Sequence, residues 1–254
     1  MLHSAKELRG LSIAATDGDV GTIDDLYFDD AQWTIRYLVV DTGGWMSGRK
    51  VLIPIHALSH ADWAGEILRI NLDKKQIEDS PGIDSAKPVS RQHETDIFNH
   101  YGFPYYWTGP YLWGATAYPT LLQAESSGDV RPPPDAARMH QESESQDPHL
   151  RSSNQVAGYQ IRATDDAVGH IEDFLFDSRE WSIRLIAVDT EHWWPDRSVL
   201  IAPQRIHSIS WSDRTARVDL TRKEVEDSEE YDPANPPPLG PKYDLYRRFG
   251  MPHG

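Results

Sequence analysis

One stretch of this chain occurs twice, and the second occurrence is aligned with the first without a gap. The segment VGTIDDLYFDDAQWTIRYLVVDT at residues 20–42 returns at 168–190 as VGHIEDFLFDSREWSIRLIAVDT. The two occurrences are 148 residues apart. At this offset residues 10–104 align with residues 158–252, and 35 of the 95 aligned positions are identical. Self-similarity at a fixed offset is typical of a duplicated structural unit. The chain is therefore predicted to contain two copies of one module.

The repeat divides the 254 residues into three parts. We predict a first module at 1–104, a linker at 105–157 and a second module at 158–254. Residues 105–119 of the linker are aromatic and punctuated by glycine and proline. Residues 125–155 are rich in proline, serine and glutamate and poor in apolar residues, a composition typical of a disordered linker. Such a linker places no limit on how the two modules are arranged.

Each copy has the pattern of short strands separated by turn residues. In the first copy, alternating and β-branched segments predict about six strands within roughly 80 residues, a spacing that favours a small β-barrel. The predicted fold is therefore mainly β, with two tandem small β-barrels that are each followed by short helices. The predicted strands are Ser12–Thr16, Gly21–Asp29, Trp33–Asp41, Val51–Ile55, Leu58–Trp63 and Glu66–Asn71, and the predicted helices are Leu72–Ser80, Glu94–Pro104, Leu220–Ser228 and Lys242–Pro252.

Composition excludes several classes of function. The chain has 40 acidic and 25 basic residues, a net charge of −15, and both copies are acidic. This charge argues against a nucleic-acid partner, because binding to phosphates requires a basic face. The absence of cysteine excludes disulfides, thiolate metal sites and thiol catalysis,. No apolar run approaches the roughly 20 residues of a membrane span, so we expect a cytoplasmic protein that does not insert into a membrane.

The repeated motifs resemble the PRC-barrel family. The likeness lies in the Gly-x-Ile-x-Asp motif at 21–25, in a strand that starts at Trp33 and ends at Asp41, and in the strand Val51–Pro54. The second copy carries the same features at Gly169, Ile171, Asp173, Trp181, Val188, Asp189 and Val199–Ile201. The family includes the cytoplasmic domain of the photosynthetic reaction-centre H subunit and the C-terminal domain of a ribosome-maturation factor.

The resemblance implies a rigid module that docks onto partners, and it transfers no catalytic residue to this chain. We therefore predict a non-catalytic protein-binding or assembly module with an unknown protein partner and no cofactor. The duplication makes the chain an internal pseudo-dimer, and it is compatible with a homo-oligomer. Two alternatives stay open: a small-ligand or metal-binding protein or enzyme with a site between the modules, and an electron-transport accessory like the H subunit.

Acidic residues that recur in both copies are the first candidates for chemistry. A carboxylate cluster for Ca²⁺ or an acid–base pair would need them to converge. The favoured interpretation is structural, because aspartates in turns and at strand ends bond to nearby backbone. The recurring pairs are Asp17/Asp165, Asp25/Asp173, Asp29/Asp177, Asp41/Asp189, Glu78/Glu226 and Asp79/Asp227.

Two groups of histidines have spacings that metal sites use. They are His56 with His60, and His93 with Asp96 and His100, and the second copy has no histidine at any of these positions. Ordinary surface histidines are the favoured interpretation, so no metal site is predicted. No serine-hydrolase elbow, phosphate-binding loop or dinucleotide fingerprint occurs in the sequence, so no catalytic or cofactor-binding residue is predicted.

Six aromatic residues cluster within 14 positions outside the repeat. Aromatic side chains are enriched at the energetic centres of protein interfaces, so this cluster is a candidate partner-binding surface. The favoured interpretation is that the segment packs against its own modules, and a partner surface is the alternative. The six residues are Tyr105, Tyr106, Trp107, Tyr111, Trp113 and Tyr118.

Overall fold

The computed structural model describes residues 1–83, 89–119, 149–190 and 197–238. The mainly β prediction is confirmed, and the closed-barrel geometry of each copy stays a prediction. Within the described residues the strands are β1 Leu2–Ser4, β2 Ser12–Ala15, β3 Gly18–Asp29, β4 Thr34–Asp41, β5 Lys50–Pro54, β6 Leu58–Asp62, β7 Ile67–Ile70, β8 Leu150–Ser152, β9 Gln160–Arg162, β10 Ala167–Asp177, β11 Ser182–Asp189, β12 Ser198–Ile201, β13 Ile206–Ser210 and β14 Thr215–Val218.

Short helices connect or follow these strands. The helices among the described residues are α1 Ala5–Leu8, α2 Lys74–Glu78, α3 Arg91–Tyr101, α4 Ser153–Val156 and α5 Arg222–Glu226, with 3₁₀ turns at Gly43–Met46, Ile55–Ala57 and Pro203–Arg205. The helix α2 begins with a capping box, in which Asp73 accepts from the Gln76 amide and the Gln76 side chain accepts from the Asp73 amide. Thr221 and Glu224 make the same box at α5.

The chain divides into two compact units. The first-copy unit is Arg9–Arg151, and the second-copy unit combines Met1–Leu8 with Ser152–Gly254. In the first-copy unit, β2, β3, β4 and β5 pair antiparallel in that order, β6 pairs antiparallel with β7, and β7 pairs parallel with β2. The second-copy unit has the same pairing. Here β9, β10, β11 and β12 pair antiparallel in that order, β13 pairs antiparallel with β14, and β14 pairs parallel with β9.

A tight turn joins the two longest strands of each unit. Trp33 follows the turn in the first copy with a φ of 52°, and Trp181 does so in the second with a φ of 55°. Each indole stacks on the phenylalanine that precedes the turn, Phe28 at 5.6 Å and Phe176 at 5.1 Å between ring centroids. The packing of a large aromatic pair holds both tryptophans in a left-handed conformation that bulky residues rarely adopt.

The N-terminal strand of the chain pairs with the second copy. In β1, Leu2 lies opposite Asp177 and Ser4 lies opposite Leu175 of β10, so the strand extends the second-copy sheet. Conversely, β8 pairs with β3 of the first copy. The two pairings are equivalent under the repeat, since β8 begins 148 residues after β1. The strand β1, which precedes the first copy in the sequence, thus joins the sheet of the second copy. The strand β8, which precedes the second copy, joins the sheet of the first.

This exchange divides the chain differently from the sequence boundaries at 104 and 158. Residues 1–8 belong with the second-copy unit, and residues 150–156, assigned to the linker, form β8 and α4. The backbone amide of Asp30 donates to the His149 carbonyl at 2.8 Å in the first-copy unit. The repeat reaches back to Leu2 and Leu150, before Gly10 and Gly158, and this extension indicates that an equivalent segment precedes each copy.

The helix predicted at Glu94–Pro104 in the first copy is α3, which runs from Arg91 to Tyr101. The side chain of Ser90 accepts from the His93 amide at its start, and Gly102 ends it with a φ of 72°, a left-handed conformation that glycine commonly adopts after a helix,. The corresponding helix predicted at Lys242–Pro252 and most of the predicted disordered linker lie outside the described residues.

In the part of the chain that the structure describes, no helix is long and apolar enough to cross a membrane.

Candidate functional site

The aromatic segment 105–119 packs on the first-copy unit through two buried anchors. Tyr106 is 4% exposed and Trp113 is 2% exposed. Antiparallel bridges from Tyr111 to Gly114 and from Trp113 to Thr116 fold the segment into a tight loop. Gly114 has a φ of 77° and lies so close to the Tyr105 carbonyl that a Cβ there would stand 2.8 Å from the oxygen. The loop therefore has one defined shape.

Arg36 lies beneath the two anchors. Its side chain is fully buried, and its guanidinium carbon lies 3.9 Å from the Tyr106 ring centroid and 4.9 Å from that of Trp113. The guanidinium donates to the Leu112 carbonyl at 2.6 Å and to the Asp29 carboxylate at 3.1 Å. A buried guanidinium is stable only when it is paired and hydrogen-bonded, and here the loop supplies part of that pairing.

Glu94 is the second buried charge under the loop. Its side chain is fully buried and accepts hydrogen bonds from the hydroxyls of Tyr37 at 2.9 Å and Tyr106 at 2.7 Å. Arg91 lies 2.7 Å from the other carboxylate oxygen. Burial raises the pKa of Glu94 from 4.5 to about 7, and the positive charge of Arg91 and the two phenols oppose that rise. The loop is thus fixed to α3 by a shared carboxylate.

His56 completes the interior of this region. It is 5% exposed, and its ring contacts Phe98 edge-on at 5.6 Å and Trp113 edge-on at 5.1 Å. Burial, with a smaller contribution from the charge of Arg36, lowers the pKa of His56 from 6.5 to about 4. The interpretation of His56 as a surface histidine was wrong, because the aromatic loop covers the turn on which it lies.

The aromatic loop also presents an uncharged surface to solvent. Tyr111 and Tyr118 are 56% and 53% exposed, and they are among the most exposed large apolar side chains of the described residues. Tyr105 and Trp107 are partly exposed and stack on each other at 4.7 Å, with the Arg91 guanidinium 4.4 Å from the Trp107 ring. We call the four side chains of Tyr105, Trp107, Tyr111 and Tyr118 the aromatic face. Of the six residues predicted to bind a partner, Tyr106 and Trp113 are interior anchors and these four reach the surface.

Several of the recurring acids make structural hydrogen bonds. Asp29 accepts from the Ala31 amide at 2.9 Å, and Asp41 accepts from the Gly43 amide at 2.8 Å, as predicted for turn and strand-end aspartates. Asp17 instead accepts from the distant Lys74 amide at the start of α2. Asp173 accepts from the Ser4 hydroxyl and from the Lys6 amide, so it fixes the exchanged N-terminal segment. The contact of Asp173 with the N-terminal segment was not predicted from the sequence.

The histidine pairs do not converge on a metal-binding geometry. His60 is exposed on β6, whereas His56 is buried. His100 is exposed and its Nε2 lies 2.6 Å from the Gln76 carbonyl, and His93 is partly exposed on the same helix. Among the described residues, no three or more acidic or histidine side chains are grouped so that they could hold a metal ion.

Arg36 and Glu94 were not predicted from the sequence. Arg36 recurs as Arg184 within a strand that is otherwise apolar, and a charged residue that is kept at such a position in both copies was an available signal. In the second copy Arg184 pairs with Glu180 four residues earlier. Glu94 offered no such signal, since Lys242 occupies its position in the second copy.

Comparison with known families assigns the first repeat. The model of the PRC-barrel domain matches residues 2–78. Residues 2–78 belong to the PRC-barrel family. This agrees with the resemblance drawn from the Gly-x-Ile-x-Asp motif and the two strands that follow it. The match to the PRC-barrel domain begins at Leu2, so the family sequence includes the segment Leu2–Leu8 that packs in the second-copy unit. No curated protein matches the chain.

Proposed function

We propose that this protein is a non-catalytic protein-binding module whose aromatic face contacts a partner protein. The observation that carries the proposal is the division of the aromatic loop into a buried half and an exposed half. Tyr106 and Trp113 hold the loop on the first-copy unit, and Tyr111 and Tyr118 remain more than half exposed. Exposed large aromatic side chains on a fixed backbone are typical of interface hot spots.

Pre-organisation favours binding by this surface. A loop that is already ordered loses little conformational entropy when a partner docks, so more of its contact energy appears as affinity. Two bridges, a buried arginine and a buried carboxylate hold the loop in place before any partner arrives. The aromatic face is thus a rigid platform.

The chemistry of the face favours a protein over a nucleic acid. Residues 105–119 contain no lysine, arginine, aspartate or glutamate, and the whole chain carries a net charge of −15. Stacking platforms for single-stranded nucleic acids combine aromatic rings with a basic groove that follows the phosphates. An uncharged aromatic surface on an acidic protein fits an apolar patch on another protein, with a positively charged rim as the complement.

Site-specific photo-crosslinking tests the proposal. A photoreactive phenylalanine analogue at Tyr111, expressed in the native host, should trap one partner protein, and the same analogue at Trp45 should not. Trp45 is a suitable control because it is a 39% exposed aromatic residue on a different turn of the same unit. Crosslinks at Tyr111 that capture only a second copy of this chain, or nothing above the Trp45 control, would contradict the proposal.

A measured affinity for the trapped partner completes the test. The double variant Tyr111→Ala/Tyr118→Ala should weaken binding at least tenfold, since truncation of aromatic hot spots costs about 2 kcal/mol or more. Thermal unfolding should be unchanged because both side chains are exposed. Trp45→Ala should bind like the wild type. Equal affinity of the double variant and the wild type would remove the aromatic face from the interface.

A further inference from the structure

The second-copy unit contains an open cavity of about 420 Å³. Its volume lies in the range of roughly 300–1,000 Å³ that small-molecule sites occupy. The cavity borders the part of the sheet formed by β13, β14 and β9, far in sequence from the aromatic loop. It is lined by Arg162, Ala163, Thr164, His207, Arg217, Val218 and Asp219.

Two arginines lie side by side in this cavity. Arg217 on β14 is the register partner of Arg162 on β9, so the two guanidinium groups project from neighbouring positions of a parallel pair. Both side chains are exposed, and neither forms an ion pair with an acidic residue in the described ranges. The register therefore places two exposed cations at neighbouring positions, and an anion that contacts both would pair with two positive charges at once,.

The acidic residue of the lining does not neutralise this pair. The carboxylate of Asp219 lies 2.9 Å from Nε of Arg205, which lies outside the lining. Arg162 donates from its Nε to the Gln160 side-chain oxygen at 3.1 Å, a contact that orients the guanidinium and leaves its charge uncompensated. The cavity thus has a net positive lining on a protein with a net charge of −15.

The arginine pair is a property of the second copy alone. Ala14 stands at the position of Arg162 in the first copy, and Ser59 stands at the position of His207, whereas Arg69 corresponds to Arg217. The strand pairing is the same in both copies, since Ala14 is the register partner of Arg69. The fold therefore does not require a second arginine here.

We propose that this cavity binds a small phosphate-bearing anion. Each guanidinium offers a planar fork of N–H donors that matches two oxygens of a phosphate, and two adjacent forks match a phosphate better than a single carboxylate. The ring of His207 adds a nitrogen at the edge of the same lining. The site is independent of the aromatic face and of its protein partner.

Titration with pyrophosphate in a phosphate-free buffer tests this site. Isothermal calorimetry on the full chain should show one site per chain. Arg162→Ala, which installs the first-copy residue, and Arg217→Gln should each raise the dissociation constant at least tenfold. Arg69→Gln is the matched control, because it removes the same charge at the equivalent position of the first copy, and it should bind like the wild type.

Two further measurements make the result decisive. The arginine Nε–H resonances of Arg162 and Arg217 should shift on titration with pyrophosphate and should stay unchanged in sodium chloride of equal ionic strength. Citrate tests for a carboxylate ligand, and tighter binding of citrate than of pyrophosphate would overturn the assignment to phosphate. Absence of binding, or an equal loss in Arg69→Gln, would overturn the site itself.

Discussion

Glu94 and His56 lie under the same aromatic loop, yet burial shifts their ionisation in ways that affect stability in opposite directions. The raised pKa of Glu94 means that the folded protein holds a proton which the unfolded chain releases near pH 4.5. The lowered pKa of His56 means that the unfolded chain takes up a proton near pH 6.5 which the folded protein excludes down to about pH 4. Since stability rises with pH where the unfolded state binds more protons, the two contributions oppose each other between about pH 4.5 and 6.5.

The variant Glu94→Gln should remove one of these opposing contributions. In the wild type, the contribution of Glu94 is fully present below pH 4.5 and is lost as the pH rises to about 7. A shift of this size corresponds to about 3 kcal/mol. Relative to the wild type, the free energy of unfolding of Glu94→Gln should therefore increase with pH across that window, as measured by urea denaturation. Substitution of the exposed Glu78 by glutamine is the control, and an equal change there would contradict the assignment.

The variant His56→Gln should have the opposite effect. Glutamine occupies the equivalent position, Gln204, in the second copy. The wild type loses stability as the pH falls from 6.5 to about 4, because the buried imidazole resists protonation,. The free energy of unfolding of His56→Gln, relative to the wild type, should therefore increase as the pH falls through that range. Parallel curves for variant and wild type would show that His56 does not resist protonation.

At the scale of the element, the most constrained position is the glycine at the start of the family motif. A Cβ on Gly21 would stand 2.0 Å from the Asp41 carbonyl oxygen, and a Cβ on Gly169 would stand 2.0 Å from that of Asp189. Both glycines have a positive φ, of 157° and 139°. Close approach of β3 to β4, and of β10 to β11, thus leaves no room for a side chain in either copy.

Alanine at Gly21 or at Gly169 should lower the free energy of unfolding by about 2 kcal/mol or more, because the two paired strands must separate locally. Gly44→Ala is the matched control, since a Cβ there meets no atom within 4 Å. Chemical denaturation of the three variants measures the difference. If Gly44→Ala lowered the free energy of unfolding as much as the other two variants, the decrease would come from lost backbone freedom and not from the contact between the strands.

Local patterns predicted most strands and helices, and packing of the aromatic segment against the chain's own modules was the favoured interpretation. They did not predict which of its residues are buried. The strand from Thr34 to Asp41 was recognisable from its β-branched residues, and α2 and α3 began and ended within a few residues of their predicted bounds. The loop has no periodicity, so nothing in its own sequence shows that Tyr106 and Trp113 turn inward. Their burial depends on Arg36 and Glu94, which come from other elements of the same unit.

At the scale of the whole molecule, the exchanged strands set the division of the chain. Leu2, Ala5 and Leu8 are each less than 5% exposed, and they pack in the unit that holds the second copy. The constant offset of the repeat predicts two copies of one module. It does not show which copy each N-terminal strand joins. Pairing of β1 with its own copy and pairing with the other copy bury the same residues, so the sequence pattern does not distinguish them.

The variant Leu8→Ala tests the exchange. Truncation of a buried leucine costs about 2–5 kcal/mol, and hydrogen exchange should show the loss in the amides of β10 rather than in those of β3. Lys6→Ala is the control, because its ion pair with Glu172 is exposed and contributes little,. Faster exchange confined to β3 would show that the N-terminal segment packs on its own copy.

The exchanged strands also affect the order in which the protein can be completed during translation. The contact from Ser4 to Asp173 spans 169 residues, and the contact from His149 to Asp30 spans 119. At synthesis rates of 5–20 residues per second, the first strand waits roughly 10–30 s before its partner is made. During that interval the unpaired strand can pair with other nascent chains. A chaperone that binds the strand at this stage would prevent that pairing. The first-copy unit can close once β8 has been made, whereas the second-copy unit, which holds the N-terminal strand, closes only after β9 to β14 have followed.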